Sequence, residues 1–105
     1  IKFKNEYNII VAMKNKKINI IRKKLDKLDL SLLNLIKKRS LLVSKILEQK
    51  EYKNQIIDKK RIKIILKKIK KESKKKNIDH QITNSIWKSM IKAFITYEFK
   101  NFKKK

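Results

Sequence analysis

The apolar residues in the first half of the chain recur with alternating steps of three and four. From Ile18 onward they occupy positions 18, 21, 25, 28, 32, 35, 42 and 46. This spacing predicts a heptad seam along one side of a long helix, which we expect to run from about Lys16 to Gln49. At about 1.5 Å per residue such a helix is roughly 50 Å long, too long for a small monomer to cover. The pattern therefore predicts a partner chain, most simply in a two-fold homodimer.

Two shorter helices are predicted in the second half of the chain. Residues 51–55 form a polar loop, and Asp58 then lies where a helix N-terminus favours a carboxylate. Asp79 is predicted to cap the third helix. The apolar stripe of the second helix comprises Ile62, Ile65, Leu66 and Ile69, and the buried side of the third comprises Ile82, Ile86, Trp87, Met90, Ile91, Phe94, Ile95 and Phe102. We therefore expect an all-α fold with three helices per chain and a long first helix.

The composition excludes several kinds of site. Gly, Pro and Cys are absent, which disfavours tight β-hairpins and rules out disulfides and thiolate metal sites. The single histidine, His80, cannot form a histidine cluster or a catalytic triad within one chain, and we expect it to be a surface or cap-region residue without a catalytic role. No apolar run approaches a membrane span and no signal-peptide core is evident. These features predict a soluble cytoplasmic protein without a membrane partner.

The net charge of +23 admits two interpretations. A basic helical RNA-binding module would neutralise phosphates with its lysines. Alternatively, the lysines reflect a coding bias, since Lys, Ile and Asn make up 57 of the 105 residues. Binding of RNA through stacking needs exposed aromatic side chains, whereas those of the third helix are predicted to point inward. Nucleic acid is therefore not the favoured partner, and the Lys67–Lys76 run is predicted to be a solvated helix end.

Several charged residues interrupt or border the apolar stripes. Arg39 occupies a seam position of the first helix, and Lys50 follows eleven residues later, close to three full turns. Arg61 borders the stripe of the second helix, Glu98 interrupts that of the third, and Arg22 lies beside the seam. A buried charge is costly unless it is paired. An interhelical salt bridge such as Arg39 with Glu98, an anionic ligand held by the cations, or a simple helical dimerisation domain would each fit this pattern.

The ordered set of charged residues resembles the AroQ-class, or type II, chorismate mutases. The residues that carry the resemblance are Ile21-Arg22, Leu28-Asp29, Leu32, Leu35, Arg39, Lys50, Asp58, Arg61, Ile86-Trp87, Met90-Ile91 and Tyr97-Glu98. The resemblance covers about Lys16 to Phe102, and the three arginines of the chain all fall on substrate-binding positions of the family. It implies a chorismate mutase domain over residues 13–105, preceded by an N-terminal extension over residues 1–12.

The resemblance implies an enzyme that converts chorismate to prephenate on the route to phenylalanine and tyrosine. The reaction is a concerted [3,3]-sigmatropic rearrangement that uses no nucleophile, metal or cofactor. The family forms a homodimer in which the long first helix spans both subunits. Each active site would take Arg22 from one chain and its other residues from the partner chain.

The resemblance also implies a role for each basic residue of the site. Arg22 and Arg39 would bind the side-chain carboxylate of the substrate, and Arg61 would bind the ring carboxylate. Lys50 would bind a carboxylate and the ether oxygen, where charge develops as the ether bond breaks. We expect Arg39, Lys50 and Glu98 to be the catalytic residues.

Glu98 and Asp58 complete the implied site, and two residues depart from the family pattern. Glu98 would donate a hydrogen bond to the ether oxygen in its protonated form, and Asp58 would lie near the ring hydroxyl at the start of the second helix. Many members have Glu where this chain has Ile62, and a small Ser where it has Phe94. Both departures are similar to the sister isochorismate-pyruvate lyases, which share the fold and the cationic site. A lyase is therefore the alternative to the mutase.

Overall fold

The chain folds into α-helices joined by short connections. The structure is a computed structural model that describes the backbone of residues 2–104 and the side chains of residues 5–104. Over this range the helices are α1 (Lys2–Gln49), α2 (Lys59–Lys75) and α3 (His80–Asn101), with a 3-10 turn (Lys53–Gln55) between α1 and α2, and no strand is present. The predicted all-α class with a long first helix is confirmed.

Helix α1 begins earlier than its heptad pattern predicts. It starts at Lys2 rather than near Lys16, and it ends at Gln49 as expected. The stretch before the heptads contains neither Gly nor Pro, so no residue in it interrupts the helix once it has formed. The helix therefore continues across residues 12 and 13, and the domain boundary between them stays a prediction. Residue 1 of the predicted extension lies outside the described residues.

The chain divides into two compact units, Ile1–Arg39 and Ser40–Lys105. In the first unit the predicted seam residues are helical, but each leaves more than 40% of its surface exposed in this single chain. They are Ile18, Ile21, Leu25, Leu28, Leu32 and Leu35. Apolar side chains in such a continuous row are normally covered. The periodicity is thus confirmed as a helical stripe, and a covering partner stays a prediction.

The second unit contains the core of the protein. Leu47 of α1, Ile56 of the connection and Ile91 of α3 are its buried apolar side chains. Helix α2 packs against α3, and its predicted stripe is half-buried while the residues between the stripe positions are exposed. The stripe consists of Ile62, Ile65, Leu66 and Ile69. The apolar period read from the sequence therefore identifies the inner face of α2 correctly.

The predicted buried side of α3 is only partly buried in this chain. Ile91 is buried, and Trp87 and Met90 are half-buried. Ile82 and Ile86, by contrast, are 56% and 52% exposed. The prediction is wrong for these two residues in a single chain, because a helical neighbour covers one stripe of α3 and leaves the adjacent stripe open.

A left-handed residue and a buried polar pair fix the turn between α2 and α3. Asn77 has φ 56° and stands where many helices have Gly. Its neighbours complete a Schellman motif, since the N–H of Ile78 donates to the carbonyl of Ser73 at 2.9 Å. The Ser73 and Thr83 hydroxyls lie 2.8 Å apart, and both residues are buried. Asp79 accepts from the Gln81 N–H at 2.9 Å, which confirms it as the cap of α3.

The single histidine lies at the start of α3. His80 is the first residue of that helix and is half-buried. Its Nδ1 atom is buried and has no hydrogen-bond partner among the described residues. The expected cap-region position is confirmed, and the absence of a catalytic role stays a prediction.

Candidate active site

A buried ion pair links the end of α1 to α3. Lys50 is the first residue after α1, and its N–H still donates to the Leu47 carbonyl at 3.1 Å. Glu98 lies in α3 and is only 6% exposed. The Nζ atom of Lys50 donates to Oε1 of Glu98 at 2.8 Å. A carboxylate this deeply buried requires such a partner, so the pair accounts for the acidic residue within the apolar stripe.

The connection after α1 also contacts this pair. Nζ of Lys50 also donates a long hydrogen bond of 3.5 Å to the carbonyl oxygen of Ile56, the buried residue of that connection. The side-chain oxygen of Gln55 accepts from the N–H groups of Glu51 and Tyr52 at 2.7 and 2.9 Å. These bonds close the segment on itself, which brings Ile56 back towards Lys50. The polar loop predicted over residues 51–55 is confirmed, and it forms a compact turn.

Asp58 forms the N-cap of α2. Its Oδ1 atom accepts from the N–H of Arg61 at 3.0 Å, and its carbonyl accepts from the N–H of Ile62 at 3.0 Å. A carboxylate at this position also interacts favourably with the helix dipole. The predicted position of Asp58 at the start of the second helix is therefore confirmed, whereas its contact with a substrate hydroxyl is not tested by this geometry.

A cavity of about 640 Å³ lies beside the ion pair and the start of α2. Its lining residues are Lys50, Asn54, Gln55, Ile57, Asp58 and Lys59. Two of these, Lys50 and Asp58, belong to the predicted site. The other four were not predicted from the sequence: Asn54, Gln55 and Ile57 lie in the connection before α2, and Lys59 is the first residue of that helix. The lining offers ammonium groups for an anion, amides for hydrogen bonds and one carboxylate.

A hydroxyl pair holds α1 against α3 close to the site. The hydroxyl oxygens of Ser44 and Tyr97 lie 3.0 Å apart, and Tyr97 immediately precedes Glu98. The Nζ atom of Lys104 donates to the carbonyl of Glu48 at 2.7 Å, near the end of α1. These contacts hold the end of α1, which Lys50 directly follows, and the part of α3 that contains Glu98.

The predicted site residues are distributed over both units. Lys50, Asp58, Arg61 and Glu98 belong to the second unit, where Lys50 and Glu98 pair directly and Lys50 and Asp58 line one cavity. The side chain of Arg61 is exposed at the start of α2. Arg22 and Arg39 belong to the first unit, and within it Arg22 is exposed and Arg39 half-buried. Their substrate-binding roles, like those of the other site residues, stay predictions.

The described residues contain no membrane-spanning helix and no metal-binding cluster. No helix in residues 2–104 combines the length and the apolar character that crossing a bilayer requires. Nor does any group of three or more His, Asp or Glu side chains in that part of the chain lie close enough together to hold a metal ion.

Comparison with known proteins identifies one family. The family model described as chorismate mutase type II matches residues 21–99, about three quarters of the chain. All six predicted site residues fall within the matched range. No curated protein and no solved structure matches the chain.

Proposed function

This chain belongs to the chorismate mutase type II family, and we propose that it catalyses the rearrangement of chorismate to prephenate. The family match supports chorismate mutase-type activity in general. The observation that carries the specific proposal is the 2.8 Å contact between Lys50 and the buried Glu98, beside a cavity that Lys50 also lines. This contact supports the proposal that a cation and a carboxyl group act together on one oxygen atom of the bound substrate.

The chemistry needs positioning and charge rather than a nucleophile. In the rearrangement the ether C–O bond breaks while a C–C bond forms within the same molecule, so atoms and electrons balance without a co-reactant. Cations that bind both carboxylates hold the flexible side chain over the ring, which removes much of the entropic barrier. Lys50 and a protonated Glu98 donate to the ether oxygen as negative charge develops there.

We further propose that the working enzyme is a homodimer with shared active sites. The exposed seam of α1 supports this proposal, since Leu28 and Leu35 are 60% and 59% exposed in the single chain. Ile82 and Ile86 of α3 add further uncovered apolar surface. In such a dimer Arg22 of the partner subunit would complete the substrate-binding set. We also propose that the enzyme acts in the cytoplasm.

A lyase acting on isochorismate is the second candidate. It is favoured by Ile62, which is half-buried within the apolar stripe of α2 and carries no group that can bind a ring hydroxyl. Phe94, also half-buried, replaces a small residue on α3. The lyase would use the same cations for the same two carboxylates, and it would release pyruvate and salicylate.

The test of the mutase proposal is turnover of chorismate by the purified protein. We expect loss of the ultraviolet absorbance of chorismate and chromatographic identification of prephenate. Arg39→Ala and Lys50→Gln should each lower kcat/KM by about 100-fold or more, because each removes a cation that acts on the transition state. Lys45→Gln, on an exposed position of α1, is the matched control and should leave the rate unchanged.

The other outcomes separate the alternatives. Intact chorismate together with conversion of isochorismate to pyruvate and salicylate would replace the mutase by the lyase. If neither compound reacts, and RNA binds with a steep salt dependence that Arg39→Ala leaves unchanged, the basic-module interpretation replaces both.

A further inference from the structure

The two ammonium groups that line the cavity differ in their surroundings. That of Lys50 lies 2.8 Å from Oε1 of Glu98. Lys59 lines the same cavity, is exposed, and its ammonium group makes no hydrogen bond or ion pair with any side chain or backbone group in residues 5–104. A cation without a protein partner in a concave site is available to an anionic ligand.

The carboxylate nearest to Lys59 in the sequence, that of Asp58, does not pair with the Lys59 ammonium group. Asp58 lines the cavity as well, but its Oδ1 atom accepts from the N–H of Arg61 and caps α2. The ammonium group of Lys59 therefore has no carboxylate partner among the described residues. A substrate with two carboxylates supplies the missing negative charge.

We propose that Lys59 is a further substrate-binding residue, which contacts a carboxylate of the bound dicarboxylate. This inference rests on the proposed function and deepens it by adding a cation that the family resemblance does not assign. Lys59 acts on binding and not on the reacting ether bond, since the Lys50–Glu98 pair addresses that bond. Lys59 would also give the substrate a polar contact one helical turn before Ile62, whose side chain can make no polar contact.

The neighbouring residue provides a matched control. Lys60 follows Lys59 directly in α2, is also exposed, and is not among the lining residues of the cavity. Successive residues of a helix project about 100° apart, so the two side chains face different directions. Substituting either removes the same charge from the same turn, and only the change at Lys59 removes it from the cavity.

The expected effect is on affinity. A contact made equally in the ground state and the transition state changes KM and leaves kcat nearly constant. We expect Lys59→Gln to raise KM for chorismate about fivefold to tenfold at about 10 mM ionic strength, and less at about 0.15 M, because salt screens an exposed charge. Lys59→Arg should keep KM within about twofold, since it preserves the charge.

The experiment compares steady-state kinetics and calorimetric binding of chorismate for the wild type, Lys59→Gln, Lys60→Gln and Lys59→Arg. Urea unfolding of each variant verifies that folding is unaffected. A rise in KM and dissociation constant for Lys59→Gln alone supports the proposal. Equal values for Lys59→Gln and Lys60→Gln, or a loss confined to kcat, would overturn it.

Failure of the proposed function is distinguishable from failure of this inference. If the wild type binds chorismate without converting it, the mutase proposal fails, and the dissociation constants of the four proteins still decide the role of Lys59. If the variants at residues 59 and 60 behave alike while prephenate forms, the inference fails and the function stands. A wild type that neither binds nor converts chorismate overturns both.

Discussion

The Nζ atom of Lys50 lies 2.8 Å from Oε1 of Glu98, across 48 positions of the sequence. The contact joins the end of α1 to α3 inside the second unit, and the exposed fractions of the two side chains are 17% and 8%. A pair so shielded from water matters for stability, and it also presents the two groups proposed to act on the ether bond. Substitutions here therefore separate structural from catalytic contributions.

Removing the cation of this pair should cost more stability than neutralising the acid. We expect Lys50→Met to lower the free energy of unfolding by about 3 kcal/mol, because it leaves Glu98 buried without its partner. Glu98→Gln should cost less, since the amide oxygen still accepts from Lys50. Urea unfolding at one fixed protein concentration measures both. Lys45→Met, at an exposed position, should change stability by less than about 0.5 kcal/mol. Equal losses for Lys50→Met and Lys45→Met would show that the pair contributes nothing.

The rate should fall as pH rises if Glu98 donates to the ether oxygen. Only a protonated carboxyl group can donate a hydrogen bond, whereas a carboxylate can only accept. An amide donates at every pH. We therefore expect kcat for the wild type to decline with rising pH and kcat for Glu98→Gln to stay level over the same range. Superimposable profiles for the two proteins would exclude proton donation by Glu98.

Asp58 should stabilise α2 through its capping oxygen and should bind the substrate through its charge. We expect Asp58→Ala to cost about 1 kcal/mol of stability because the Arg61 N–H loses its acceptor. Asp58→Asn keeps a capping oxygen and should lower the stability by only a few tenths of a kcal/mol. Asp79→Ala removes the corresponding cap of α3 and serves as the control. We expect it to lose a similar amount of stability but, unlike a change at Asp58, to leave KM unchanged. An unchanged unfolding midpoint for Asp58→Ala would contradict the cap assignment.

Substitutions of the left-handed residue between α2 and α3 should change the thermal stability differently for Ala and for Gly. Asn77 has φ 56°, a conformation that costs an ordinary L-residue about 1 kcal/mol or more and Gly almost nothing. Asn77→Ala should therefore lower the thermal midpoint, whereas Asn77→Gly should be neutral or stabilising. Calorimetry at equal protein concentration checks the order of the three proteins. Equal midpoints for the Ala and Gly variants would show that the positive φ at residue 77 does not affect thermal stability.

The proposed dimer predicts a mass about twice the 12.7 kDa of one chain. Leu32 lies in the α1 seam and is 55% exposed in the single chain. We expect Leu32→Glu to shift sedimentation equilibrium towards the monomer, because it places a charge in the apolar interface. Asn34→Glu adds the same charge away from the seam and should leave the dimer intact. A wild type that sediments as a monomer at micromolar concentration would overturn the shared-site proposal.

The sequence by itself determined the helical elements and the family. The stripe of α2, including Ile62 and Ile69, follows from a period that nearby residues set, and the caps Asp58 and Asp79 bond to residues two or three positions away. Such local interactions can be read without knowing where distant segments lie. The start of α1 could not be read, because residues 2–15 contain no Gly or Pro that would mark a break before the heptads begin.

Only the tertiary structure decided how distant residues meet. The partner of Glu98 depends on where the 51–58 connection returns the chain. The sequence offered Arg39 as an example of such a partner, whereas the structure pairs Glu98 with Lys50. The buried residue at the end of α1 is Leu47, not the seam residue Ile46, which is 56% exposed. The cavity gathers Lys59 and Asn54 from a segment with no distinguishing pattern. These features depend on helix crossing angles and loop paths, which arise from packing between residues far apart in the chain and not from any local period.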